Sequence, residues 1–311
     1  FFVVFFSVFV SGSELAVQSP ANGYQALLNL YEEFSEFRRP IMIDGIPDYG
    51  RTAMKSKEEG LKTFRNRLSE INPEDWKIPE KIDYLLVTTK AYTVLSALAS
   101  VSHRLRDTTK AVLMVNGMGV DAAMLNAQPG LSLTLATTTE GAYRRADGSV
   151  CHAGSGRTLM GEAGGKASPP PWFDLFSRSV PNCHWEDDMA VSLWRKLAIN
   201  AAINPLTAVL GCTNGELVGE PADRVRALCD EITTVAEAAG MARAVEDLES
   251  TVFEVIRGTA DNRSSMLQDV EAGRPTEIEY ITGWLVEQAN KLGVDAANNT
   301  RLLEAVRTHA R

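Results

Sequence analysis

Residues Trp194–Gly211 read WRKLAINAAINPLTAVLG. Lys196, Asn200 and Asn204 stand at i, i+4 and i+8, which at 100° per residue drift by only about 80° in total, so all three share one face of a helix. Leu197, Ala198, Ile199, Ala201, Ala202 and Ile203 surround them and predict that this helix is largely buried. Asparagine is a mediocre helix former, and a buried unpaired amide costs roughly 1–3 kcal/mol. Two amides and an ammonium on one stripe therefore need partners. They form either a hydrogen-bond ladder to a neighbouring helix or a row of donors lining a cleft for a polar ligand. Pro205 cannot donate to the carbonyl of Ala201, which predicts a kink. A lysine in this setting becomes a useful general acid when burial lowers its pKa from about 10.4.

Working outward, apolar periodicity predicts helices at Met189–Leu210, Pro221–Ala239, Ala244–Val270, Glu277–Leu292 and Asn299–Thr308, so nearly everything from Asp188 onward reads as helix. The other half alternates. Ile82–Thr88 (IDYLLVT) and Ala111–Val115 (AVLMV) read as strands around a helix at Tyr92–Leu105, which implies a βαβ crossover and a parallel sheet. Further strands are expected at Leu131–Thr138 and Ser149–Met160, joined through a turn at Ala146–Asp147–Gly148, and a loop at Gly161–Pro171. Lys55–Lys77 is charge-rich and amphipathic, the pattern of a solvated helix face. Glu14–Phe37 looks helical, with an interruption at Pro20–Gly23. The composition shift places a domain boundary near Asp187.

The N-terminal stretch Phe1–Val10, FFVVFFSVFV, has nine apolar residues in ten. It is too short to span a bilayer and lacks the basic flank of a signal peptide. It fits a strand buried on both faces of a parallel sheet. The absence of an initiator methionine points to a fragment or an imperfect gene start. A net charge of −9 argues against a nucleic-acid surface, which needs a basic stripe. Cys151, Cys183, Cys212 and Cys229 are widely spaced with no CxxC pair, and the four histidines are scattered. The expectation is buried reduced thiols in a cytoplasmic protein, no metal site, no membrane partner and a monomer or homodimer.

Three further groups of residues could carry chemistry. In Asn262–Gly283, NRSSMLQDVEAGRPTEIEYITG, Ser264 and Ser265 precede an apolar helical turn and Gly273 stops it. Thr276 and Glu279 have capping-box spacing, which would put Glu277 at the first helical position, where an acid is favoured by the helix dipole. Asn116–Gly117–Met118–Gly119 follows the AVLMV strand directly, at the strand end where α/β sheets bind ligands. Lys90 stands at the end of the preceding strand by the same logic.

The strings LLVTTKA (85–91), VNGMG (115–119), ATTTEGAYRR (136–145), LWRKLAINAAINPLTAVLGCTNGEL (193–217) and SSMLQDVEAGRPTEIEYITG (264–283) together resemble the ketopantoate reductase family, in its order and near its spacing. The resemblance runs from about Ile82 to the C-terminus. It implies an α/β Rossmann-type N-terminal domain over residues 1–187 and an all-α C-terminal domain over 188–311, of the kind that ends 6-phosphogluconate dehydrogenase. It also implies NADPH-dependent reduction of the small 2-keto acid 2-dehydropantoate to (R)-pantoate, in pantothenate and coenzyme A biosynthesis. Lys196 stands where the family has its general acid. Asn200, Asn204, Asn214 and Ser265 match positions that hold substrate, Glu277 matches a glutamate bridging cofactor and substrate, and Lys90, Asn116 and Ala142 match positions that contact the dinucleotide. The family opens on strand–GxGxxG–helix. Here the corresponding string is Ser11–Gly12–Ser13–Glu14–Leu15–Ala16, with Ser11 and Ser13 at the first two glycine positions, where side chains crowd a pyrophosphate. Two alternatives share this fold: a reductase of another small 2-keto acid, and a cofactor-deficient homologue that binds a metabolite.

Overall fold

The computed structural model describes residues 30, 33, 37, 42–43, 46–47, 51–70, 81–144, 150–163, 165, 168–180 and 182–309. The expected strand at Phe1–Val10, the Ser11 and Ser13 loop, most of the helix at Glu14–Phe37 and the turn at 146–148 lie outside them. Two compact units result: one between Ser11 and Glu80, and one from Lys81 onward.

The smaller unit contributes strands β1 (Met42–Ile43) and β2 (Ile46–Pro47), paired antiparallel, and helix α1 (Arg51–Glu70). Most of the described α1 side chains are exposed, as the charge run at Lys55–Lys77 predicts. Phe64 of α1 meets Phe37 at 5.1 Å between ring centroids, and Arg67 pairs with Glu33.

The larger unit begins with the crossover. Strand β3 (Tyr84–Val87) leads through a 3-10 turn into α2 (Val94–Val101), and the chain returns as β4 (Lys110–Leu113). The two strands are parallel, with Leu85 opposite Ala111. Helix α3 (Val120–Ala127) leads on to β5 (Ser132–Thr138), parallel to β4. The strands are short apolar runs because both faces are covered. Leu85, Val87, Leu113, Leu133 and Leu135 pack with α2 and α3, while Val112, Ala136 and Met160 face Trp172, Phe173 and Phe176 on the other side.

The expected strand at Ser149–Met160 is two strands. β6 (Gly141–Arg144) and β7 (Val150–Gly154) form a separate hairpin, and only β8 (Thr158–Glu162) joins the main sheet, antiparallel to β5. Gly156 lies in the bend between β7 and β8; a Cβ there would come within 2.3 Å of the Thr139 backbone. Helix α4 (Pro171–Ser179) and β9 (Cys183–Trp185) complete a sheet of order β3-β4-β5-β8-β9.

From Met189 the chain is helical: α5 (Met189–Leu210), α6 (Ala222–Ala238), α7 (Leu248–Gly258), α8 (Ser265–Glu271), α9 (Thr282–Leu292) and α10 (Ala297–His309). One core joins them, built from Leu197, Ala201, Leu206, Val225, Ile232, Val252, Ile256, Leu285 and Val306. Helix α5 runs on through Pro205 without a break. The single helix expected at Ala244–Val270 is instead α7 and α8. The Thr259 hydroxyl turns back to the Val255 carbonyl at 2.6 Å, and the Ser264 hydroxyl accepts from the Leu267 N–H at 3.0 Å to cap a new helix. Of the four cysteines only Cys229 is buried, where desolvation pushes its thiol up to about 12; Cys151, Cys183 and Cys212 are partly exposed. No helix among the described residues is long and apolar enough to cross a membrane.

Candidate active site

The carboxyl ends of three parallel strands converge on one cluster. Lys90 follows β3, Asn116 follows β4, and Thr138 ends β5. The helical half supplies the rest. Glu277, 4% exposed, accepts from the backbone N–H of Ala91 at 3.0 Å and from the Asn116 side-chain amide at 3.2 Å, and its Oε2 lies 3.5 Å from Lys90 Nζ. Lys90 Nζ also donates to Asp269 Oδ2 at 2.6 Å. Burial pulls the Lys90 ammonium down, but Glu277 and Asp269 outweigh it and hold its pKa above the ordinary lysine value.

Lys196 reaches the same region from α5. Its Nζ donates to the Thr138 carbonyl at 2.8 Å. Burial drops its pKa from 10.5 to about 8, against an upward pull from the Glu277 charge. This is the setting a lysine needs to give up a proton near neutral pH. Asn200 and Asn204 continue the face, partly buried, and their side-chain amides have no hydrogen-bond partner among the described residues. A ladder to a neighbouring helix is therefore not what the stripe forms; it presents free amides beside an ammonium.

The two serines divide. Ser264 is buried, caps α8 and pairs with the Thr207 hydroxyl at 2.8 Å. Ser265 is exposed, and its hydroxyl makes no hydrogen bond among the described residues. Asn214 is 8% exposed; its Nδ2 donates to Thr259 Oγ1 at 2.9 Å, and its Oδ1 is buried without a partner. Ala142 is exposed on β6, and no described contact joins it to the cluster. Ser11 and Ser13 lie outside the described residues.

One sequence expectation needs correction. Thr276 and Glu279 form no capping box: the Thr276 hydroxyl accepts weakly from Ile278 N–H at 3.4 Å, while Glu279 is drawn away by Arg307 at 2.6 Å. Glu277 precedes a short 3-10 turn, Ile278–Tyr280, and its carboxylate is spent on the cluster rather than on a helix end. The glycines of Asn116–Gly117–Met118–Gly119 serve packing. Gly117 has φ +83°, and a Cβ there would lie 2.5 Å from the Tyr280 carbonyl oxygen; one on Gly119 would lie 2.9 Å from Trp284. Met118 N–H donates to that same Tyr280 carbonyl at 2.9 Å. The turn is thus pressed against the segment that carries Glu277.

Sequence reasoning missed Asp269, Arg274 and the Thr138 carbonyl. A strand-end carbonyl leaves no mark in side-chain pattern. Asp269 reads as one more polar residue in a helical run, because Lys90 lies 179 residues away in sequence.

Comparison with known proteins bears on the same residues. Residues 188–310 match the family model described as ketopantoate reductase PanE/ApbA C terminal, and residues 48–165 match ketopantoate reductase PanE/ApbA. A 2-dehydropantoate 2-reductase of Shigella flexneri is 41% identical over 72% of this chain and 73% of its own length. One from Archaeoglobus fulgidus is 33% identical over 82% and 85%. Among solved structures, a probable 2-dehydropantoate 2-reductase of Bacillus subtilis superposes with a TM-score of 0.61 at 29% identity, over 75% of this chain and 79% of that one. Two family models matched in succession across the α/β and helical parts, with relatives aligned over most of both chains, leave one conclusion: the chain belongs to the ketopantoate reductase family.

Proposed function

We propose that the protein is an NADPH-dependent 2-dehydropantoate 2-reductase, forming (R)-pantoate for pantothenate and coenzyme A biosynthesis. The observation that carries this reading is Lys196: an ammonium with its pKa drawn down to about 8, beside two unpaired amides on the same helix face.

The described part of the nucleotide site suits the cofactor by its donor set. Lys90 and Asn116 place an ammonium and an amide at the carboxyl ends of adjacent parallel strands, where α/β sheets take dinucleotides. The nicotinamide, when bound, supplies the hydride that adds to the C2 keto carbon. Every other task falls to the chain. Lys196 gives its proton to the oxygen that becomes the hydroxyl, and its charge stabilises the negative charge building there. Asn200 and Asn204 hold the polar groups of the keto acid along α5. Ser265 binds the substrate carboxylate end, and Asn214 belongs to the same substrate-holding set. Glu277 holds the strand ends to the helical half and keeps Lys196 protonated by its field. Lys90, Asn116 and Ala142 contact the dinucleotide, with Ser11 and Ser13 in the phosphate loop. The division into residues 1–187 for dinucleotide and 188–311 for substrate and catalysis, a cytoplasmic location and a monomeric or homodimeric state belong to the same proposal.

The test is NADPH consumption by the purified protein with 2-dehydropantoate, beside pyruvate and 2-oxoisovalerate. The highest kcat/KM should be for 2-dehydropantoate. Preference for another acid would reassign the substrate, and NADPH binding without turnover of any of them would make the chain a binding protein.

A further inference from the structure

Asp269 has no part in the chemistry just described, yet it is among the most buried charged residues of the helical half, at 3% exposure. Its two oxygens are separately engaged. Oδ1 receives Arg274 Nε at 3.0 Å and Arg274 Nη2 at 2.9 Å, and the Arg274 backbone N–H returns to the Asp269 carbonyl at 2.8 Å. Oδ2 receives Lys90 Nζ at 2.6 Å. Arg274 fixes the carboxylate on one side, so that it meets Lys90 as a rigid acceptor on the other.

Lys90 needs such an acceptor. Its four-carbon stem is flexible, and holding the head in one place costs side-chain entropy. Without Asp269 its nearest anion is Glu277 Oε2, now 3.5 Å away and already receiving the Asn116 amide. The ammonium would close on Glu277 and compete with Asn116 for that oxygen. We infer that Asp269 is a positioning residue for cofactor binding: braced by Arg274, it holds Lys90 at the β3 strand end for the dinucleotide and keeps it from collapsing onto Glu277. An ammonium has three N–H donors; one is spent on Asp269, and Glu277 at 3.5 Å takes a weak second, so the remainder can face a ligand.

The inference rests on Lys90 being a dinucleotide contact, and a double-mutant cycle separates the two claims. NADPH dissociation constants are measured by nucleotide fluorescence for wild type, Asp269→Asn, Lys90→Ala and the double variant, with melting temperature recorded on each sample. Asp269→Asn is expected to weaken NADPH about tenfold or more, the scale of one charge-assisted bond. Turnover at saturating NADPH should change by less than about threefold, because the lost interaction is a binding one. In the Lys90→Ala background the same substitution should do nothing. Equal losses in both backgrounds would show that Asp269 only supports the fold, overturning the inference and leaving Lys90 in place. Unchanged affinity in Lys90→Ala alone would overturn both. Should Asp269→Asn fail to fold, Arg274→Gln completes the cycle from the exposed side of the pair. It should weaken NADPH in the same direction by a smaller factor, again only when Lys90 is present, and a loss independent of Lys90 would refute the inference.

Discussion

Replacing Lys196 with methionine should leave the protein at least nearly as stable as before while removing its activity. The ammonium's pKa falls from 10.5 to about 8 on folding, chiefly through burial. That lowering corresponds to roughly 3 kcal/mol by which the site disfavours the charged form. Methionine keeps the apolar stem out to the ε position and removes the charged head. Against this gain, the Thr138 carbonyl loses its donor, at a cost of about 1–3 kcal/mol. The net change in stability is therefore between about 0 and +2 kcal/mol, seen as a melting temperature equal to or above wild type. Turnover should fall by about 10²–10⁴-fold, the usual contribution of a general acid. Lys196→Arg should fail similarly, because a guanidinium with a pKa above ~12 is a poor proton donor. The pH profile gives an independent reading. Reduction needs the protonated amine, so kcat/KM should be level below about 8 and decline as pH rises through that value, and the decline should be absent from the residual activity of the methionine variant. NADPH consumption and thermal melting on the same preparation decide the matter. A methionine variant that is destabilised yet turns over near-normally per folded molecule would refute the reasoning.

Ser265→Ala should raise KM for the keto acid by roughly tenfold or more with little change in NADPH affinity, the loss of one bond to a carboxylate; steady-state kinetics against each substrate will show the split. Ser264→Ala should instead lower stability by about 1–2 kcal/mol in urea melts, since it removes a helix cap and the buried partner of Thr207. Gly117→Ala should destabilise by at least about 2 kcal/mol, because φ +83° strains any L side chain and the new methyl would sit 2.5 Å from the Tyr280 carbonyl; thermal melting checks it. Glu277→Gln should move the basic limb of the kcat/KM profile to lower pH, because the carboxylate's charge raises the Lys196 pKa, and a limb that stays in place would remove that coupling.

The parts of the fold that could be read from sequence are those whose burial is local. The strands β3, β4 and β5 are short apolar runs between turn residues, and α5 carries eleven buried residues around a polar stripe, so period and burial agree. What escaped has its cause elsewhere in the chain. β9 is three residues, Cys183–Trp185, and exists because it pairs with β8 rather than through its own pattern. The break between α7 and α8 depends on the hydroxyls of Thr259 and Ser264, residues that a periodicity count treats as filler. In the site, Lys196, Asn200 and Asn204 were legible because their spacing puts them on one face. Glu277 was visible only as a helix-end acid, since its partners Ala91 and Asn116 come from the other half of the molecule. The glycines at 117 and 119 stood out, but a ligand turn and a tight backbone crossing leave the same residues behind.

In the proposed reduction, with Lys196 as the proton donor, its bond to the last carbonyl of β5 governs what happens after the proton has gone. A charged lysine head has three hydrogens, and Thr138 occupies one at 2.8 Å. When another leaves for the product oxygen, the neutral amine still has two, and the carbonyl, which can only accept, keeps its partner. The vacated lone pair points away from the carbonyl, back along the direction the proton took. Discharge therefore needs no swing of the side chain, and recharging needs only a proton delivered along the same line. A hydroxyl anchored in this position would have a single hydrogen and would have to drop its mooring each time it donated. The sheet thus provides a fixed mount for a donor that reloads in place.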